Sequence, residues 1–253
     1  MQTKKFNEVS TVTTVNSGQY LILTDGNGNA TKVSLADLKA AMLAGVDLNA
    51  ISDGVFVMYH GKSDDYPRMV KPEKWTGIQS GGELAEGVVV VEGGKILVVA
   101  PTEADSGGLL WSSAAVSAGG VTPTDRITAM NDWAGKTNTA AQITHSECNT
   151  ESYAPGFCAA YSRTNANGQG LTAGRWWLPS LGEMMMIYAN MRKINYVLSF
   201  INGATPLSES WYWTSTEISA YGAWYLGLRN GGAGYSNKVA DHSRVRAVSA
   251  FLH

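Results

Sequence analysis

With 253 residues, 44% of them hydrophobic and 16% charged, the chain can bury a sizeable core, and its length suits one large domain or one domain with an appendage. A formal net charge of -2 without any basic stretch lacks the electrostatic footprint of a nucleic-acid binder. Gly (28), Trp (8) and Tyr (11) are abundant, a bias that points to many turns and strands around an irregular core.

The opening residues carry two lysines with no apolar stretch behind them, so no secretory signal is read there. The longest apolar run, Gly87 to Ala100, is interrupted by Glu92-Gly93-Gly94-Lys95 and is too short to span a bilayer. A soluble chain without membrane insertion is expected, leaving the cell by a route other than a signal peptide or not at all. Residues 1–50 read as a unit of their own. Tyr20 to Thr24 and Ala30 to Val33 form a hairpin around the turn Asp25 to Asn29, and Ser34 caps a helix through Leu35, Leu38, Ala41 and Met42. A hairpin and one short helix bury little alone, so this attachment segment is expected to be stabilised by a partner chain or by docking.

Residues 51–253 read as the main domain. Val88 to Val91 and Ile96 to Val99 predict a hairpin buried on both faces. Asp125 to Trp133 carries Ile127, Met130 and Trp133 at helical spacing, with Gly135 as its stop. Ser180 and Glu183 fit a capping box ahead of a helix whose one face is Leu181, Met184, Met185, Tyr188 and Met191, the methionines acting as core filler. Trp211 to Trp213, Trp224 to Leu228 and Val245 to Phe251 alternate as strands do. The sum is an α+β fold.

Chemical motifs are mostly rejected. Gly135-Lys136-Thr137 lacks the upstream glycine of a phosphate-binding loop, Met130 standing in its place. Asp25-x-Asn27-x-Asn29 departs from a calcium loop at Ala30 and Ala36 and is better read as a plain turn. His145, Glu147 and Cys148 have no second cluster at ligand spacing, and the four histidines offer no nucleophile–base signature. No catalytic residue, metal site or cofactor is therefore assigned. Cys148 and Cys158, the only cysteines, leave both a disulfide and two free thiols open.

The segment Ser219 to Ser243 is dense in Gly, Ser, Tyr, Ala and Asn, the vocabulary of antibody paratopes, although a Gly-rich loop region between strands has the same composition. The ordered blocks Gly174-Arg175-Trp176-Trp177-Leu178-Pro179-Ser180-x-x-Glu183, Tyr212-Trp213-Thr214-Ser215-Thr216-Glu217, Ala223-Trp224-Tyr225 and Arg244-Val245-Arg246-Ala247-Val248-x-Ala250-Phe251 resemble the C-type-lectin-fold variable proteins of diversity-generating retroelements, over roughly Val88 to Phe251. In that family a reverse transcriptase copies a template with errors at adenines, so Asn codons become codons for many residues but not for Trp, Met, Lys, Gln or Glu. From Ile218 to Ser243 only Trp224 and Lys238 belong to that excluded set.

The resemblance implies a C-type lectin-like fold with a variable region at about 211–251. It assigns Trp211, Trp213, Glu217, Trp224, Arg244, Arg246 and Phe251 to a constant framework, and Ser219, Tyr221, Gly222, Gly227, Arg229, Gly232, Ala233, Tyr235, Ser236, Ala240, Asp241, His242 and Ser243 to the binding face. Strand alternation adds Tyr225 to that face, with Trp224, Leu226 and Leu228 inward and Tyr225, Gly227 and Arg229 outward. The calcium-dependent sugar motifs of vertebrate-type lectins do not occur, their nearest echo being Asn131-Asp132-Trp133, so calcium-independent binding is expected. The loose likeness of residues 22–38 to attachment segments of phage tail fibres implies a virion location, or otherwise an extracellular or cell-surface one, and a homotrimer binding a bacterial cell-surface protein or glycan. The alternatives are a bacterial surface or fimbrial-tip adhesin without a retroelement and, more remotely, an enzyme of the formylglycine-generating subclass, whose cysteine pair lies nearer the carboxyl terminus than Cys148 and Cys158.

Overall fold

The computed structural model describes residues 20–24, 30–34, 52–62, 66–104 and 107–252. It divides into two compact units, Met1–Ala50 and Ile51–His253. In the first, β1 (Tyr20–Thr24) pairs antiparallel with β2 (Ala30–Ser34), from Tyr20 opposite Ser34 to Thr24 opposite Ala30. The turn between them and the helix expected after Ser34 lie outside the described residues.

The second unit mixes helices with antiparallel sheets, an α+β arrangement. Its larger sheet contains β3 (Gly54–His60), β4 (Pro67–Val70), β5 (Gly87–Glu92), β6 (Lys95–Val99), β9 (Trp176–Trp177) and β13 (Val248–Ser249), in the order β4-β3-β5-β6-β13-β9. The β5–β6 hairpin forms in the expected place. Glu92 lies opposite Lys95, and Gly93 and Gly94 both take positive φ, the backbone that a tight two-residue turn requires. Both faces of the hairpin are covered. Val88, Val90, Leu97 and Val99 enter one apolar cluster, Val89, Val91 and Val98 the other.

The first cluster is closed by Trp75 of α1 (Pro72–Ser80), by α5 (Leu181–Ala189) and by α6 (Met191–Leu198). The predicted capping box is present at Ser180 and Glu183, and Leu181, Met184 and Ile187 are fully buried. The second cluster gathers Trp111, Cys148, Cys158, Trp176, Leu178 and Trp213 around α4 (Ala154–Ala160) and β9. Both cysteines are free thiols, and burial pushes Cys148 up to about 12. A two-stranded ribbon, β7 (Arg163–Thr164) with β8 (Gly170–Leu171), completes this side.

Three expectations are corrected. The helix over Asp125 to Trp133 shrinks to α2 (Arg126–Met130), capped by the Asp125 side chain accepting from Thr128 N, and Ile127 and Trp133 point to solvent, not the core. Gly135 starts α3 (Gly135–Gln142) instead of stopping a helix, and the position is glycine for a packing reason: a Cβ there would lie 2.1 Å from the Glu183 carboxylate of the α5 capping box. The strand over Val245 to Phe251 is reduced to β13, since the preceding residues bond elsewhere: Trp213 N donates to Arg244 O, Ala104 N to Val245 O and Ala100 N to Ala247 O. Among the described residues, no helix is long and apolar enough to cross a membrane.

Candidate ligand-binding face

The carboxyl-terminal window folds as a three-stranded antiparallel sheet of β10 (Trp211–Glu217), β11 (Gly222–Gly227) and β12 (Gly232–Asn237), where β12 replaces the Gly-rich loop. Glycine is used for aromatic contact across strands. Trp211 pairs with Gly227, where a Cβ would meet the indole at 2.5 Å, and Tyr225 pairs with Gly234, where it would meet the phenol oxygen at 2.6 Å. Trp211, Tyr225 and Trp213 stack edge to face along this side, with centroids 4.8 and 6.5 Å apart. The opposite side sends Tyr212, Trp224, Leu226 and Leu228 into the first cluster.

The frame beneath is held by buried charge. Lys238 and Glu217, both fully buried, form an ion pair. The ammonium also donates to Val116 O and lies 4.2 Å from the centre of the Trp111 ring, while Ala118 N and Gly120 N donate to the carboxylate. Burial lowers the Lys238 pKa, and the Glu217 carboxylate opposes that shift. The pair thereby moors residues 116–120 to the end of the sheet. At the other end the Glu103 carboxylate accepts from Arg244, Arg246 and Tyr212 Oη, and buried Arg246 also donates to Ala100 O, Thr205 O and Pro206 O. Asp132, the calcium-motif echo, has its carboxylate taken by Ala134 N, Asn138 Nδ2 and Thr216 Oγ1. Among the described residues, no three His, Cys, Asp or Glu side chains gather as metal ligands do.

The residues expected on the face separate into groups. Ser219, Tyr221, Gly222, Tyr235 and Ser236 come together around an open cleft of about 580 Å³, with Ile218 and Asn237 completing its wall. Tyr221 is 69% exposed and Tyr235 61%, the latter braced edge-on by Trp224 with centroids 5.7 Å apart. Ala240, Asp241 and His242 are exposed on the following loop, where the Ser236 hydroxyl and Asn237 N donate to Asp241 and hold its carboxyl below the usual range. Arg229 is exposed and Gly232 half-buried at the β11–β12 turn, and half-buried Tyr225 sits in the aromatic stack.

Gly227, Ala233 and Ser243 do not reach the face, because all three are buried. The Trp211 ring covers Gly227, Ala233 enters the first cluster, and Ser243 exchanges backbone hydrogen bonds with Leu109. Trp211, assigned to the framework by resemblance, is 48% exposed while its ring covers Gly227 and stacks on Tyr225. Sequence reasoning missed Ile218 and Asn237 in the cleft, for which no motif gave a signal. It also missed the structural role of Lys238, although the codon argument had singled out Lys238 together with Trp224, and both are buried.

A scan against family models finds none that matches the chain, and a search of curated proteins finds no match. Among solved structures, the chain is similar to a fimbrial protein from Bacteroides ovatus at 13% identity and a TM-score of 0.40, over 92% of this chain and 48% of that one. The chain spans about half the length of that protein.

Proposed function

We propose that this chain is a ligand-binding protein, an adhesin or receptor-binding protein whose second unit is a C-type lectin-like domain and whose binding face is the cleft between Tyr221 and Tyr235 with the adjoining loop Ala240–His242. The observation that carries the reading is the pair of exposed tyrosines flanking an open cleft on a frame whose charged groups are internally paired. Tyrosine gives large contact area for two torsions' worth of entropy and is a common hot-spot residue, while Ser219, Ser236 and Asn237 supply adaptable polar groups. The work is binding by preorganised side chains, without catalysis, metal or cofactor.

The finer proposal, carried by the resemblance, is that a retroelement diversifies this face and that a phage tail fibre carries it as a homotrimer, against a bacterial surface protein or glycan. Trp224 and Lys238 support it, because the two residues of the window that an Asn codon cannot become are 3% and 0% exposed. Sequencing the DNA downstream of the gene tests it. An imperfect copy of the segment encoding residues 211–251, beside a reverse transcriptase, is the expected result. Its absence from a complete genome leaves the same face on a bacterial surface or fimbrial-tip adhesin.

Tyr221→Ala and Tyr235→Ala are expected to shift folding stability by no more than about 0.5 kcal/mol each, as substitutions of exposed side chains do. A urea melt checks this, and a loss of several kcal/mol would assign the tyrosines to the frame.

A further inference from the structure

Six of the eight indole N–H groups donate to oxygen atoms of the protein, those of Trp75, Trp111, Trp176, Trp177, Trp213 and Trp224. The two without such a bond among the described residues are the exposed ones, Trp133 at 39% and Trp211 at 48%. Lys95 covers Trp133, its ammonium 4.3 Å from the ring centre. Trp211 has Tyr225 beside its ring and no cation over it among the described residues. Around Trp211 the sheet is bare of side chains. Gly227 lies opposite it on β11, Gly232 lies opposite Gly227 on β12, and Gly234 lies opposite Tyr225. The Asn230 amide stands on this floor. Its Oδ1 accepts from Gly232 N at 3.0 Å and lies 3.2 Å from the point where a Gly227 Cβ would sit, a point itself 2.5 Å from Trp211 Cζ3. That bond orients the amide and leaves both protons of Nδ2 unspent; Tyr225 Oη is likewise without a partner among the described residues.

The geometry points to a carbohydrate subsite at Trp211, where an uncharged pyranose lays its apolar C–H face on the indole and its hydroxyl rim meets Asn230 Nδ2, Trp211 Nε1 and Tyr225 Oη. This rests on the binding reading above and adds a second contact on the same sheet. A sugar ring carries both characters at once, a flat apolar face and a rim of hydroxyl groups, and the site has one open aromatic ring with three unspent polar groups beside it. A protein partner would bury roughly 800 Å² on each side, whereas the glycine floor leaves a half-open indole and a half-buried phenol as the apolar area. The exposed charged residues on the flanking segments, Glu209 and Arg229, are opposite in sign, so the surroundings select neither an acidic nor a basic ligand. By the two-residue period of a strand, Gly232, Gly234 and Ser236 share one face, and Ser236 belongs to the Tyr221–Tyr235 cleft. The platform thus leads to the cleft over about 13 Å, four strand residues, which a short oligosaccharide spans.

The test applies the full chain to an array of immobilised neutral and acidic oligosaccharides, followed by calorimetric titration with the soluble form of a captured glycan. Neutral glycans should be captured. Their affinity should fall at least tenfold on Trp211→Ala and on Asn230→Asp, the latter keeping an oxygen for Gly232 N while losing the amide donor. Trp211→Phe keeps a ring without the N–H and should retain part of the affinity, with the melting temperatures of Trp211→Phe and Asn230→Asp unchanged. Captured glycans that need Tyr221 and Tyr235 but ignore Trp211→Ala and Asn230→Asp would overturn the subsite and leave the binding reading standing. Capture confined to acidic glycans would overturn the neutral class. No capture at all would overturn the subsite, and a phage-displayed random dodecapeptide library then decides the wider reading: it stands if peptides are enriched that Tyr221→Ala/Tyr235→Ala no longer binds, and falls if none are.

Discussion

Lys238→Met is expected to destabilise the second unit by about 3–5 kcal/mol, the usual cost of stripping one partner from a fully buried ion pair. The Glu217 carboxylate would keep its hydrogen bonds from Ala118 N and Gly120 N but lose the countercharge of Lys238. A second substitution separates charge from packing. Glu217→Gln on top of Lys238→Met keeps an oxygen for one of those two backbone N–H groups, which bond to different carboxylate oxygens, and removes the uncompensated charge, so part of the lost stability should return. Denaturant melts of the single and double variants read both effects. A Lys238→Met protein as stable as wild type would mean that residues 116–120 are moored by something other than this pair.

The second large effect is a dependence of stability on pH. Burial raises the Glu183 carboxyl from 4.5 to about 7, against the lowering effect of hydrogen bonds from Ser180 and Trp177. The folded state therefore holds this proton more tightly than the unfolded chain does. The stabilisation is fully present below about 4.5 and is lost as pH rises through about 7, a change on the order of 3 kcal/mol. Glu183→Gln retains a residue type suited to a capping box and cannot titrate, so its stability should lack this downward slope. The comparison to make is wild type against Glu183→Gln between pH 4.5 and 8. Parallel curves would show that Glu183 keeps an ordinary affinity for its proton.

The parts of the fold that were legible beforehand are those set by neighbours in the chain. The β5–β6 hairpin follows from two apolar runs around Gly93-Gly94, and α5 follows from Ser180 and Glu183 three residues apart. The inward set Trp224, Leu226 and Leu228 follows from the two-residue period of a strand, whereas Gly227 escapes that period because its burial comes from a ring on β10, across the register. Ile127 and Trp133 misled because helical spacing marks a shared face without saying which way the face points. Lys238 lies next to an exposed loop in sequence and finds its partner only through the pairing of β11 with β12 and β10. The upstream segment that meets the window was least accessible to sequence reasoning, since the Pro123–Trp224 contact spans 101 residues.

These assignments divide the window into a frame and a face, and one measurement tests that division most directly. Each position from 218 to 243 is randomised singly, the variants are displayed, and resistance to protease is scored. Most residues should be accepted at Ser219, Tyr221, Arg229, Tyr235, Ala240 and His242. Asp241 should be intermediate because it orders Ser236 and Asn237. Trp224, Gly227, Ala233, Lys238 and Ser243 should reject nearly all replacements. Equal intolerance at the exposed tyrosines and the buried positions, or free substitution at Lys238 and Trp224, would contradict a variable binding face carried on a buried, internally paired frame.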